Sequence, residues 1–341
     1  MRPARARARV SAVRIMLAAM SAVLLLSGCH VPGTTSASGN VAVSQTITVA
    51  MVPGIDNAPL LVAQRDGLFR KQGLDVVIKS YPTLSAVVAA LSGGQAQIAA
   101  GDYTAFLYQQ ATGGLKLRLV ADGYDAGQNM LEILTLPGSG ITDPQQLVGK
   151  TVATPEKTVS YPDSTSSDNA DLPYNIETLA AQTVLESDNV SPTAVNWTPI
   201  PPSAMIGELR SGKVSAILAP EPYVFEAEAE LGAQEVLDAC SGVTAGLPLS
   251  GYFSKASYDN SAALARFRTA LLQAQADSGM RGPLQAVLPS AAGISAQDAA
   301  LVTLGTYPTS LSVGQVQRVA QLMFEAGMIG STVSVRQLAA G

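Results

Sequence analysis

Residues 47–78 constrain the fold more than any other stretch of this chain. A β-branched run, 47–52, stops at Pro53-Gly54. Asp56 and Asn57 follow as helix-capping types, and Pro59 is tolerated in a first helical turn. Leu60, Leu61, Ala63, Leu68 and Phe69 then recur at roughly helical spacing, with stops at Gly67 and Gly73. Residues 74–78 form a second apolar run. The unit is strand, polar turn, helix, strand, and in open α/β sheets ligands sit at the turn beyond the carboxyl end of such a strand.

The alternation recurs. A helix is expected around Val87, Val88 and Leu91, a strand over 97–100, a helix ending near Gln110, and a strand over 116–121. Residues 132–136 read as a strand leaving a first lobe, and Asp143-Pro144 as the start of a short helix. Strand 151–154 leads into a long polar loop, 155–173, of the kind that is functional or mobile in compact domains. Helices over 176–187, 203–211 (capped by Ser203) and 226–231 alternate with strands over 195–200, 214–218 and 235–237. Residues 246–254 return to the first lobe. Helices 261–278, 296–304 and 313–326 are expected to wrap it.

At 341 residues the chain suffices for two lobes, and 14% charged against 47% hydrophobic residues argues against disorder. One His and two Cys leave little for a His/Cys metal site and remove the usual His-based triad, so no metal or cofactor is expected. Five of the basic residues lie before Cys29 in a stretch without acids. The remainder carries 16 basic against 26 acidic residues, a poor balance for binding nucleic acid.

The amino terminus pairs an Arg-rich segment with an apolar run, 15–26, too short to span a bilayer comfortably. It ends in Leu26-Ser27-Gly28-Cys29, which resembles the lipobox of bacterial lipoprotein signal peptides. The resemblance implies a signal peptide at 1–28, lipid attachment at Cys29, and a tether over 29–45 rich in Ser, Thr, Gly and Ala. His30 lies in that tether and receives no site role.

Other motifs carry a family resemblance. Ala58-Pro59-Leu60, Gly67-Leu68-Phe69 and Gln72-Gly73-Leu74-Asp75-Val76 resemble the first unit of the nitrate/sulfonate/taurine and thiamine-precursor binding proteins of bacterial ABC importers. Leu147-Val148-Gly149-Lys150 is similar to the opening of their second lobe. Leu209 to Ala216 and Glu221-Pro222 resemble two later motifs, with Ser215 where Asp is usual. The resemblance covers roughly 46–330. It implies an α/β, two-lobed, type II periplasmic-binding-protein fold with two crossing strands as hinge. Lobe 1 would be 46–134 plus 249–341, and lobe 2 would be 135–248. It further implies a non-enzymatic, monomeric, lipid-anchored protein on the extracytoplasmic face, which delivers a small molecule to a permease and its ATPase. A sensor or adaptor without transport is the alternative. A thiamine-pyrimidine biosynthetic enzyme would need a His of its own, and His30 is outside the folded part.

The turns at strand ends then supply the candidate ligand contacts. In the first lobe these are Asp56 and Asn57 (the latter a contact or only a cap), Thr83 and Ser85, and Asp102, Tyr103 and Thr104 after Gly101. In the second lobe they are Glu156 and Thr158, with Lys157 and Ser160 in the same turn, then Glu221 and Tyr223. Tyr161 and Tyr174 flank the long loop as a possible lid. Trp197 reads as core packing before stacking platform. These turns hold carboxylates and no Arg, so a neutral or cationic organic ligand, such as an amine-bearing heterocycle, fits better than an anion.

Overall fold

Five strands of the computed structural model assemble into each of two sheets, each with the same layout. The structure describes residues 45–155 and 175–340, which belong to one compact unit beginning at Ala42. The first sheet contains β1 (Gln45–Met51), β2 (Leu74–Ser80), β3 (Ile98–Asp102), β4 (Leu117–Asp125) and β10 (Pro248–Lys255), in the order β2-β1-β3-β10-β4. The second contains β5 (Leu131–Thr135), β6 (Thr151–Thr154), β7 (Asn196–Pro199), β8 (Ala216–Pro220) and β9 (Gln234–Asp238), in the order β7-β6-β8-β5-β9. In both, three parallel strands are followed by an antiparallel one, β10 or β5. The molecule is therefore a two-lobed α/β fold with mixed sheets.

The opening unit forms as its sequence dictates. β1 pairs with β2 from Gln45↔Leu74 to Met51↔Ser80. Between them lie a 3-10 turn, Ile55–Asn57, then α1 (Ala58–Arg65, Pro59 in its first turn) and α2 (Leu68–Lys71). Gly67 takes φ 66°, a left-handed conformation open to Gly at little cost, and so separates the two helices. Helices α3 (Leu84–Ser92) and α4 (Tyr103–Ala111) cross over within the first lobe. Helices α5 (Ile176–Ser187), α6 (Pro202–Arg210) and α7 (Tyr223–Leu231) serve the second.

The tail returns to the first lobe as α8 (Ser261–Ser278), α9 (Arg281–Gln285), α10 (Leu288–Ala292), α11 (Val313–Glu325) and α12 (Val335–Ala340). α8 packs on α1 and α2, with Phe267 stacked on Phe69 at 5.2 Å between ring centroids. α11 lies on α4, and α12 on β4. One apolar core runs through the first lobe and along the α5 side of the second sheet. A smaller one lies under α6 and α7, around Met205, Leu209 and Ile217.

Residues 132–136 were expected to leave the first lobe, but β5 is paired along its length with β8 and β9 in the second sheet. The chain passes between sheets at 126–130 and again at 239–247. Two helical expectations need correction. Ser203 lies inside α6, which begins at Pro202 and has no side-chain cap. Of the helix expected over 296–304 only the 3-10 turn Asp298–Ala300 forms. Beyond it, Thr306 bridges Asp125 of β4. There a Cβ on Gly305 would come within 2.2 Å of the Asp125 carbonyl oxygen, so Gly permits the close approach.

Candidate functional site

The carboxyl ends of the parallel strands from both sheets open onto one cavity of about 400 Å³, within the usual range for a small-molecule pocket. The turn after β1 contributes Asp56. Its carboxylate oxygens accept from Asn57 Nδ2 at 3.2 Å each, and Asn57 Nδ2 also donates to the Val52 carbonyl at 3.0 Å. Asn57 stands at the cap position of α1 but makes no side-chain cap bond; it holds the turn instead. Thr83 also lines the cavity while capping α3, its hydroxyl accepting from the Ala86 N–H at 3.2 Å.

Asp102, at the end of β3, joins the lobes. Its Oδ1 accepts from the Thr104 N–H at 2.6 Å and caps α4. Its Oδ2 accepts from the Ile176 N–H at 3.1 Å, in the first turn of α5. That N–H has no partner within its own helix, so a carboxylate from the other lobe meets it. Glu221, after β8, makes a matching connection. Its Oε2 accepts from the Phe225 N–H at 3.2 Å within its own lobe. Its Oε1 accepts from the Thr303 N–H at 2.7 Å, in the tail segment that runs beside β4.

Burial shifts all four carboxyls that line the cavity. Asp56 is pushed up to about 6 by desolvation, against the opposing effect of its bonds to Ser250 and Asn57. Asp102 is raised by desolvation, with Asp56 adding to it; Glu177 is raised by desolvation and by the nearness of Asp102 and Asp56; Glu221 is raised by desolvation. The rest of the described wall includes Val52, Ile55, Leu84, Tyr124, Leu131 and Leu249. No Lys, Arg or His is among the described residues that line it. No set of three His, Cys, Asp or Glu residues among the described residues is grouped to hold a metal ion.

Of the expected contacts, the structure brings Asp56, Asn57, Thr83, Asp102, Glu221 and Tyr223 to this cavity. Ser85 is exposed and does not line it. Neither does Tyr103, whose fully buried ring sends its hydroxyl to Asp122 Oδ1 at 2.7 Å. Gly251 on β10 leaves room for that ring, since a Cβ there would come within 2.8 Å of it. Thr104 is likewise buried, and its hydroxyl donates to Asp102. Trp197 is half-buried and donates its Nε1–H to the Pro192 carbonyl at 2.9 Å, outside the cavity. Glu156, Thr158 and Tyr161, with Lys157, Ser160, Tyr174 and Cys29, lie outside the described residues.

Glu177, Tyr124 and Ser250 line the cavity without having been expected there. Glu177 follows the cap Asn175, so an acid there reads as ordinary complement to a helix dipole. Tyr124 and Ser250 lie inside strands, where sequence does not say which face meets the cleft.

Comparison with known proteins agrees with this architecture. The pattern of the NMT1-like family matches residues 42–239. The ATP-binding protein CmpC of bicarbonate transport from Synechocystis sp. is 26% identical over 193 residues, which is 54% of this chain and 27% of CmpC. The chain thus spans about a quarter of that relative. The periplasmic aliphatic sulphonate binding protein SsuA from Escherichia coli superposes with a TM-score of 0.67 at 18% identity, over 86% of this chain and 97% of SsuA. The periplasmic nitrate-binding protein NrtA from Synechocystis gives 0.66 at 14% identity, over 86% and 84%. The desulfurization enzyme DszB shares the fold, at 0.62 and 16% identity over 87% and 96%, so the fold by itself does not separate binding from catalysis. With more than half of its length matched and this two-lobed architecture, the chain belongs to the NMT1-like family.

Proposed function

We propose that the protein is an extracytoplasmic solute-binding component of an ABC importer. It captures a small organic molecule between its lobes and presents the closed form to a permease and its ATPase. The observation that carries this reading is the pair of interlobe bonds, Asp102 to Ile176 and Glu221 to Thr303, on the wall of one cavity. A ligand that touches both lobes gains its full contacts only when they close, and so shifts the open–closed balance. The kinship with SsuA and NrtA, named for periplasmic binding, supports the same reading. So does the likeness to a transport protein, CmpC. DszB keeps an enzyme in view, but no His or Cys is among the described residues of the cavity wall. A monomer tethered through a lipid on Cys29 completes the proposal.

The test is native mass spectrometry of the purified full chain, followed by transport assays with the permease it serves. A small molecule carried at one per chain, whose uptake requires the protein, is the expected result. Chemical conversion of that molecule by the protein alone would support an enzyme instead. Release of a Cys29→Ser variant from membranes tests the anchor; continued tight attachment would point to an uncleaved segment.

A further inference from the structure

We propose that the cavity selects an organic cation, an ammonium or amidinium on an apolar body, with the charge held among Asp56, Asp102 and Glu177. The inference rests on the solute-binding reading and names the ligand class of that cleft.

The site is a cavity between lobes, and the charged residues among its described lining are all acids. Asp56, Asp102, Glu177 and Glu221 line it, and no Lys, Arg or His among the described residues does. The ion pairs found among the described residues, Arg65–Asp66, Arg210–Glu230 and Lys213–Glu208, involve none of the four. Two of the carboxylates already have assigned work. Asp102 spends its oxygens on the starts of two helices. Glu221 spends its own on Phe225 and Thr303. Asp56 is met by Asn57 and Ser250. Among the described residues, the Glu177 carboxyl receives only its own backbone N–H, and it lines the cavity.

Asp56, Asp102 and Glu177 line the same cavity, Asp56 disfavours ionisation of Asp102, and both disfavour ionisation of Glu177. An anion placed among them would add repulsion to the cost of its own desolvation. A cation removes both penalties and supplies donors that the described residues do not give Glu177. The acids are not grouped for a metal ion. The apolar surfaces of Ile55, Leu84, Leu249 and Tyr124 suit an organic body, and an aromatic face attracts a cation as well.

The test uses the purified full chain in detergent, with calorimetry and thermal shift. The probes are n-butyl, 2-phenylethyl and 2-(indol-3-yl)ethyl skeletons, each as ammonium, alcohol and sulfonate, together with native mass spectrometry of any carried ligand. The expected result is that ammonium members bind and their alcohols and sulfonates bind at least about tenfold more weakly, as one charge-assisted bond requires. Glu177→Gln should weaken the ammonium members about tenfold and leave the alcohols unchanged; loss of binding to both alike would remove Glu177 from the charge site. A carried cation also supports the inference. Sulfonates or alcohols binding as well as ammonium members, or a carried anion or neutral molecule, would overturn it while leaving the solute-binding reading intact. No binding by any member and no carried ligand would overturn both.

Discussion

Asp102 Oδ2 accepts the backbone N–H of Ile176 at 3.1 Å, so a residue at the end of a first-lobe strand closes the start of a second-lobe helix. The same carboxylate caps α4 through Oδ1. Closure of the lobes and order at the cavity are thus tied to one side chain. Asp102→Asn keeps one oxygen for the α4 cap but presents an amide N–H toward the Ile176 N–H, donor against donor. The expected outcome is a small change in unfolding free energy, less than about 1 kcal/mol, with a measurable opening of the lobes. Small-angle scattering should give a larger radius of gyration than wild type, and an unchanged radius would separate the bond from closure. Asp102→Ala should also lose the cap, at about 0.5–2 kcal/mol.

Tyr103 separates a stability role from a ligand role. Its hydroxyl donates to Asp122 Oδ1 at 2.7 Å in a buried setting. Tyr103→Phe should cost about 1–3 kcal/mol of stability, because it removes the side-chain donor to a buried carboxylate oxygen. Ligand affinity should stay within about twofold of wild type, since a loss of roughly 0.4 kcal/mol is all that this corresponds to. Chemical denaturation and calorimetry on the same variant measure the two quantities, and a large affinity loss at unchanged stability would reverse the assignment.

Stability without ligand should fall as pH rises from acid toward neutral. Burial raises Asp56 to about 6 and Asp125 to about 7, against an unfolded value near 4. The folded state therefore holds protons that the unfolded chain has released. That contribution is full below about pH 4 and is lost as pH rises through 6 and 7. A cation among the acids competes with the proton on Asp56, so its affinity should rise as pH passes through about 6. Thermal unfolding from pH 4.5 to 8 is the measurement, with Asp56→Asn expected to flatten the slope between 4.5 and 6. An equal slope in that variant would place the effect elsewhere.

Gly305 is where the tail meets the first lobe. A Cβ there would press within 2.2 Å of the Asp125 backbone oxygen and 3.0 Å of Met130 Sδ. Gly305→Ala should therefore displace the segment that presents the Thr303 N–H to Glu221, at a cost of about 1–3 kcal/mol. A lowered melting temperature with weakened ligand binding is expected. An unchanged melting temperature would mean that the segment shifts freely.

Phe267 anchors the tail at the other end. It is fully buried on α8, stacked on Phe69. Phe267→Ala should cost about 3–5 kcal/mol, enough to unfold a marginal protein. Circular dichroism through a urea titration gives the value.

Local chemistry determined much of this molecule. The runs at 47–52 and 74–78, the Gly67 stop, the Asp143 cap with Pro144 after it and the alternating units all depend on neighbours within a few residues. The helix over 261–278 was legible to the residue for the same reason: Asn260 caps it and a turn follows Ser278. Asp56, Asp102 and Glu221 were legible as candidates because they end strands, where a parallel sheet opens toward a ligand. Tertiary structure decided the rest. Helical pattern over 296–304 gave way because Gly305 and Thr306 lie against β4 and Thr303 serves Glu221. Tyr103 left the site because its hydroxyl finds Asp122 on a neighbouring strand, and Glu177 entered because α5 points its first turn at Asp102. The distances that make one wall out of Asp56, Asp102, Glu177 and Glu221 are set by the packing of two lobes, and no local pattern encodes them.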